Sequence, residues 1–135
     1  MTIPATLQPT YVEPVDRFSP FYRQITRDLQ TAGATLVESP EQATAILSIL
    51  ADETGQRVLS VSARNVPTEY EVFYTIEYRL TAGTETLLET QALTLTRDYT
   101  YDPNLVLGKA HEEQLLREAI VDDLVRIVVK QIATL

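Results

Sequence analysis

Residues 97–116 hold most of the side chains in this sequence that could do chemistry. The run reads RDYTYDPNLVLGKAHEEQLL and contains two tyrosines, the only histidine of the chain and one lysine among acids. A histidine that is paired with a carboxylate and a serine, or that binds a metal ion, is a common basis of hydrolytic catalysis. His111 is therefore the first residue to consider as a catalytic base.

The partners that hydrolytic chemistry needs are missing from the sequence. His111-Glu112-Glu113 has no second histidine four residues on, and no serine stands in a Gly-x-Ser-x-Gly turn. With one histidine and no cysteine, a zinc site is not expected either. We therefore interpret His111 as an exposed residue near the start of a helix. A hydrolase that uses His111 with nearby acids stays as the third hypothesis for function.

Acidic residues are numerous in and after this run. A carboxylate pair could serve in acid–base catalysis, and several carboxylates could bind a hard cation. Their spacing matches no calcium loop, however, and acids in the first turn of a helix also complement the helix dipole. We therefore expect solvated acids, with no cofactor and no metal ion. The acids concerned are Asp98, Asp102, Glu112, Glu113, Asp122 and Asp123.

The composition limits the class of protein. The 135 residues fit one domain, 1–135, and the hydrophobic share of 44% is ordinary for a globular chain. The net charge of −8 argues against nucleic-acid binding, which depends on Lys and Arg that neutralise phosphates. An anionic partner must therefore meet a local basic patch. No apolar run is long enough to span a membrane as a helix.

The first predicted helix covers residues 20–32. Ser19-Pro20 is a typical helix start, because serine caps the free N–H groups and proline is favoured at the first helical position. Apolar residues then recur at four-residue spacing, and Gly33 is a typical stop.

The second predicted helix starts between Leu105 and Lys109 and runs to about Thr134, after a turn at residues 102–104. Its apolar residues spread over about half of the helix circumference, which suits a helix that lies flat on a sheet. Arg117 falls inside this apolar arc and is expected to extend along it to solvent. Glu113 and Arg117 have the spacing of a helical ion pair.

Residues 69–82 have the most regular strand pattern in the chain. Apolar and polar residues alternate with period two over the whole segment, which indicates one packed face and one wet face. Residues 86–99 are predicted to run back beside it. In this return strand Leu88 and Leu93 have opposite parity, so we expect a bulge or a strand with both faces covered.

The remaining strands are predicted from shorter patterns. Residues 45–50 and 57–63 are interpreted as a hairpin with a turn at residues 53–56, because Glu-Thr-Gly-Gln separates the two apolar runs. A short strand is predicted at residues 10–15, where proline restricts it to an edge, and another at residues 34–37.

The predicted order of strand, helix, antiparallel strands and helix indicates an α+β fold. Two helices, each with one apolar face, would pack on one face of a mainly antiparallel sheet of about four strands. The opposite face, which carries Phe73 and Thr75 among charged residues, is expected to meet solvent or a partner.

The run at residues 97–116 also resembles the LptE family of lipopolysaccharide-assembly lipoproteins. The pattern is Arg-Asp-Tyr-x-Tyr-Asp, a short gap, Leu-x-Lys, and then Glu with leucines and acids along a terminal helix. Glu69-Tyr70 at the start of the long strand also agrees with the family. The matching residues are Arg97, Asp98, Tyr99, Tyr101, Asp102, Leu107, Lys109, Glu112 or Glu113, Leu116, Asp122 or Asp123, and Leu124.

The resemblance implies a non-enzymatic function in the outer membrane. LptE members are lipoproteins on the periplasmic side, bind lipopolysaccharide, and plug the β-barrel of LptD, the partner that places lipopolysaccharide in the outer leaflet. Members also begin with a lipid-modified cysteine, which this sequence lacks. We expect that the signal peptide and the anchoring cysteine precede Met1, or that this relative was never lipidated.

The resemblance, together with charge, indicates where lipopolysaccharide would bind. Because this ligand carries phosphates and acidic sugars, Lys or Arg near loops should contact it. We expect Lys109, at the start of the second helix, and Arg64, in the loop before the long strand, to form an exposed basic spot. Arg97 and Arg57 are weaker candidates. The alternative function is a generic periplasmic lipid- or peptide-binding module, which would need a cavity between the helices and the sheet.

Overall fold

The structure is a computed structural model that describes residues 2–101 and 108–135. The predicted turn at residues 102–104 lies outside the described residues, as do the predicted candidates Asp102 and Leu107. The elements are strands β1 (Thr10–Glu13), β2 (Ala45–Val61), β3 (Pro67–Ala82) and β4 (Glu85–Thr100), helices α1 (Pro20–Thr31) and α2 (Lys109–Ala133), and short 3-10 turns at Ala5–Leu7 and Pro40–Gln42.

The four strands form one sheet in the order β1-β2-β3-β4. β1 pairs with β2 in parallel, whereas the β2–β3 and β3–β4 pairs are antiparallel. The predicted α+β class with a mainly antiparallel sheet is therefore confirmed. β1 lies at an edge and is followed by Pro14, in agreement with the restriction that proline imposes.

The predicted hairpin with a turn at residues 53–56 is wrong. β2 runs unbroken through this segment and pairs with β3 along almost its whole length. Gly55 lies opposite Phe73, whose ring atoms Cε1 and Cζ are 3.1 Å from the position that a Cβ at residue 55 would occupy. The glycine therefore provides room for an aromatic ring and does not form a turn.

The predicted bulge in β4 is confirmed. Tyr78 lies opposite Gln91, and Leu80 lies opposite Leu88, so β4 contains one residue more than β3 over this interval. The extra residue brings Leu88 onto the same face as Leu93, which explains the irregular apolar pattern of this strand.

The segment after α1 does not form the strand predicted at residues 34–37. Leu36 makes only an isolated bridge to Thr10, supported by hydrogen bonds from Thr10 N–H to Thr35 O at 2.8 Å and from Val37 N–H to Thr10 O at 2.9 Å. β1 is four residues long, so it offers little length for a further strand to pair with.

Alternate residues of β3 form the covered face of the sheet, the face on which both helices pack. The period-two pattern predicted for this strand is confirmed. The buried residues of β3 are Tyr70, Val72, Tyr74, Ile76, Tyr78 and Leu80. The helices bury Phe21, Ile25 and Leu29 from α1, and Ile120, Val121, Leu124, Val125, Val128, Val129 and Ile132 from α2. The opposite side of the sheet, without helices, is the open face.

Ser19 caps α1 and also ties it to the sheet. Its hydroxyl accepts the N–H of Tyr22 at 2.9 Å and donates to the carboxylate of Asp52. The hydroxyl of Tyr74 donates to the same carboxylate and accepts the N–H of Phe21 at 3.2 Å. Burial, and then the hydrogen bond to Asp52, raise the pKa of Tyr74 well above its ordinary value of 10.0.

Loss of the Tyr74 hydroxyl leaves Asp52 with one donor fewer, so we expect Tyr74→Phe to lower the free energy of unfolding by about 1–3 kcal/mol at neutral pH. The raised pKa in the folded state means that the contribution of Tyr74 is complete below about pH 10 and is lost as the pH rises further. The free energy of unfolding of the wild type, measured in urea, should therefore decrease in alkali. That of Tyr74→Phe should decrease less.

The control for this measurement is Tyr11→Phe, on the short edge strand, which should follow the wild type at every pH. An alkaline loss of stability that is equal in Tyr74→Phe and the wild type would contradict the structural role given to this hydroxyl.

Candidate functional site

Lys109 is the first residue of α2, and its charge already has partners. Its Nζ lies 4.6 Å from the centre of the Tyr70 ring, 2.9 Å from Oε1 of Glu113 and 3.5 Å from Oε1 of Gln56. An ammonium group over an aromatic face and beside a carboxylate is stabilised by both. The side chain is 32% exposed, so the expectation of a freely exposed cation here is corrected.

Tyr99 completes this group of residues. Tyr70 and Tyr99 lie opposite each other on β3 and β4, with their rings stacked at 5.4 Å, and Tyr101 meets Tyr70 edge-on at 6.3 Å. The Tyr99 hydroxyl donates to the same oxygen of Glu113 that pairs with Lys109. Burial, and then this hydrogen bond, raise the pKa of Tyr99. We call Tyr70, Tyr99, Lys109 and Glu113 the Lys109 cluster.

Glu113 is the acceptor on which the Lys109 cluster depends. Burial alone would raise the pKa of its carboxyl group, but the hydrogen bonds from Tyr99 and Lys109 outweigh burial and lower the pKa below 4.5. The carboxylate is therefore charged at neutral pH. It pairs with Lys109, so the ion pair with Arg117 that helical spacing predicted is wrong. Arg117 instead donates from Nε to Oγ1 of Thr54 at 2.9 Å.

Arg64 lies in the loop between β2 and β3. The Ser62 N–H bonds to Val66 O at 2.7 Å, and the Ser62 hydroxyl accepts the N–H of Arg64 at 3.2 Å, so the loop is internally ordered. Asn65 has a φ of 60°, which asparagine tolerates better than most residues. The Arg64 side chain is exposed and forms no salt bridge with the residues that the structure describes.

Lys109 contacts Tyr70 near the start of β3, and Arg64 lies in the loop that precedes β3. The Tyr101 N–H bonds to Thr68 O at 2.7 Å, so the end of β4 meets the start of β3 beside the β2–β3 loop. We call this region, the loop at residues 62–66 with the adjoining strand ends, the hairpin end.

Exposed apolar side chains lie in the Arg64 loop and on the adjoining end of β2. β1 pairs only with Ala45–Ser48 of β2, which leaves this part of β2 as an open edge. Apolar groups beside an exposed guanidinium suit a partner that is both apolar and anionic. The residues concerned are Val58, Leu59, Val61 and Val66, each 45–52% exposed. The sequence pattern predicts a hairpin strand at residues 57–63 and gives no sign that this patch is exposed.

The two weaker candidates lie on opposite faces of the sheet. Arg97 lies on the covered side and pairs with Asp123 at 2.6 Å. Arg57 lies on the open face, 4.3 Å above the ring of Phe73, and its guanidinium is 3.6 Å from Glu71. Neither joins the Lys109 cluster, and both already have partners.

The chemistry of hydrolysis has little support in the geometry. His111 is exposed on the first turn of α2. Over residues 2–101 and 108–135, no group of three His, Cys, Asp or Glu side chains is arranged to hold a metal ion. Surface grooves of about 420 to 580 Å³ lie between the helices and beside β1. The space between the helices and the sheet is filled by large buried side chains, Tyr74, Tyr78 and Phe21 among them.

In the part of the chain that the structure describes, no helix has the length and apolar character to cross a membrane.

The two-layer fold is that of a class of bacterial lipoproteins with solved structures. Uncharacterized lipoprotein B from Nitrosomonas europaea is 25% identical, with a TM-score of 0.83 over 98% of this chain and 84% of that chain. Rare lipoprotein B from Shewanella oneidensis is 20% identical, with a TM-score of 0.78 over 94% and 95%. A minor lipoprotein from Acinetobacter baumannii is 20% identical, with a TM-score of 0.77 over 97% and 94%.

The family model of LptE, described as Lipopolysaccharide-assembly, matches residues 7–132. The chain therefore belongs to the LptE family and has a role in lipopolysaccharide assembly, as the resemblance of residues 97–116 indicated. No curated protein matches the chain significantly.

Glu113→Gln removes the charge that holds Lys109 and Tyr99, so we expect the free energy of unfolding to fall by about 1 kcal/mol at neutral pH. Because the pKa of Glu113 is lowered by folding, its stabilisation is present above pH 4.5 and is lost as the pH falls further. The difference between wild type and variant, measured by urea unfolding, should therefore shrink towards about pH 3. Glu112→Gln, at the exposed neighbouring position, is the control. A difference that is constant with pH would be incompatible with this electrostatic role.

Proposed function

We propose that this chain is a non-enzymatic, lipid-anchored subunit on the periplasmic side of the outer membrane. In this proposal it binds lipopolysaccharide at the hairpin end and occupies the lumen of the LptD β-barrel. Membership of the LptE family supports a function in lipopolysaccharide assembly. The observation that carries the ligand site is that Arg64 and four exposed apolar side chains share one end of the sheet with Lys109.

The hairpin end has the chemistry that a phosphorylated glycolipid needs. The exposed guanidinium of Arg64 is the first contact for a phosphate, because its planar fork can donate two parallel hydrogen bonds. The apolar patch beside it would accept part of an acyl chain. Lys109 contributes after Arg64, since an incoming phosphate must compete with Glu113, which lies 2.9 Å from Nζ.

Reversal of charge at the hairpin end should weaken lipopolysaccharide binding. We expect Arg64→Asp to reduce affinity about tenfold, and Arg64→Asp with Lys109→Asp to reduce it further, because each lost charged hydrogen bond costs a factor of about ten. Binding of fluorescent lipopolysaccharide at fixed salt would measure this, with circular dichroism to verify folding. Arg79→Asp makes the same charge change on the open face and should leave affinity unchanged. Equal binding by all variants would remove Arg64 and Lys109 from the site.

The open face has the polar character that a plug inside a barrel requires. The lumen of an outer-membrane barrel is polar, so a protein that fills it needs a polar surface. The hydroxyls of Thr75 and Thr94 bond to each other at 2.8 Å across this face. Charged residues flank them on β3: Glu71, Glu77 and Arg79.

The chain has no cysteine, so Thr94→Cys places a single thiol on the exposed part of the open face. We expect this thiol to react readily with a maleimide in the isolated domain and at least about tenfold more slowly in the complex with LptD, because the lumen wall excludes the reagent. Mass spectrometry of this chain measures the modified fraction. Equal labelling rates in both states would show that the open face is not the barrel contact, and failure to co-purify with LptD would overturn the barrel partner itself.

A further inference from the structure

A groove of about 420 Å³ separates α1 from α2, and three arginines line it. Arg23 and Arg27 lie four residues apart on α1 and are both exposed, while Arg117 extends from α2. The whole chain has 11 Lys and Arg against 19 Asp and Glu. The groove is also lined by Glu118 and Asp122, so its three arginines exceed its two acids by one on a protein whose net charge is −8.

The acids of this groove are bound by amides. Gln24 donates to the carboxylate of Asp122, and Gln114 donates to Glu118 at 3.1 Å. In the described part of the chain, none of the three arginines forms a salt bridge. Glutamine thus satisfies the acids without neutralising the arginines, whose guanidinium groups keep their capacity to bind an anion.

Arg117 is held in place by its contact with the sheet. Its Nε donates to Oγ1 of Thr54 at 2.9 Å, which leaves the two terminal nitrogens of the guanidinium as donors. Glu113, the acid that helical spacing would give it, is bound by Lys109 and Tyr99. Arg117 therefore forms no salt bridge with Glu113 in the described part of the chain, although its charge still helps to lower the pKa of that carboxyl group.

We propose that this groove is an oxyanion site for a phosphate monoester or diphosphate group, with Arg23 and Arg27 on one wall and Arg117 on the other. Guanidinium groups that approach from two sides match the tetrahedral oxygens of phosphate, and bidentate pairs add geometric selectivity. The groove is formed by the helices and contains none of the residues of the hairpin end.

A titration with inorganic pyrophosphate, followed by amide chemical shifts, tests the site directly. We expect saturable shifts in α1 and in the first half of α2, and weaker binding at high salt. Arg23→Gln with Arg27→Gln should reduce affinity about tenfold or more, because it removes two charged donors from exposed positions that take no part in packing. Arg79→Gln, on the open face, removes the same kind of charge and should have no effect. Shifts that do not saturate, or equal affinity in the double variant, would overturn the proposal.

A second ligand, deacylated lipopolysaccharide, distinguishes the two possible sources of the phosphate group, which are lipopolysaccharide and a free phosphate compound. Weaker binding of both ligands by the Arg23 and Arg27 double variant would identify lipopolysaccharide, a conclusion that rests on the proposed function. A loss with pyrophosphate alone would support the site with a free phosphate as its ligand. If the hairpin-end variants fail to change lipopolysaccharide binding while the groove still binds pyrophosphate, the proposed function fails and this site remains. Stronger competition by an acidic peptide than by pyrophosphate would overturn it in favour of a protein partner.

Discussion

Buried tyrosine hydroxyls must find hydrogen-bond partners, and this requirement fixes how the helices lie on the sheet. Tyr74 bonds beside the start of α1, whereas Tyr78 and Tyr99 bond to Gln131 and Glu113 on α2. Gln131 and Glu113 are 18 positions apart, which is about 27 Å of helix. Two fixed points at this distance set the direction of α2 across the sheet, which apolar packing alone would leave free to rotate.

The same bond between Tyr99 and Glu113 determines the electrostatics of the candidate site. The carboxylate that accepts from Tyr99 also pairs with Lys109, so docking of the helix and neutralisation of the lysine are one event. The sequence could indicate that Lys109 begins a helix and that Arg64 lies in the loop before the long strand. It could not indicate the exposure of Lys109, because the groups around it come from three strands and the helix.

Regular patterns were predictive, whereas some single residues had two possible meanings. The four-residue apolar spacing of α1 and the period-two alternation of β3 each repeat one signal, so both elements agree with prediction. Gly55 gives a single signal with two physical meanings, a turn or a close approach. In the structure Gly55 makes room for the ring of Phe73, which is 18 positions away in the sequence. No local sequence pattern contains this contact. Arg117 illustrates the same limit. Helical spacing predicts Glu113 as its partner, whereas in the structure it donates a hydrogen bond to Thr54 on the sheet.

The short length of β1 has a consequence for the free protein in solution. β2 spans Ala45–Val61 but pairs with β1 only over Ala45–Ser48, so alternate residues of the segment 49–61 present unpaired backbone donors and acceptors along one side. Such an edge is a template for self-association of identical chains. The register shifts near Leu50 and Leu59 break its regularity, and the net charge of −8 keeps copies apart. Colloidal stability should therefore decrease as salt screens that charge or as the pH approaches the isoelectric point of about 4.6.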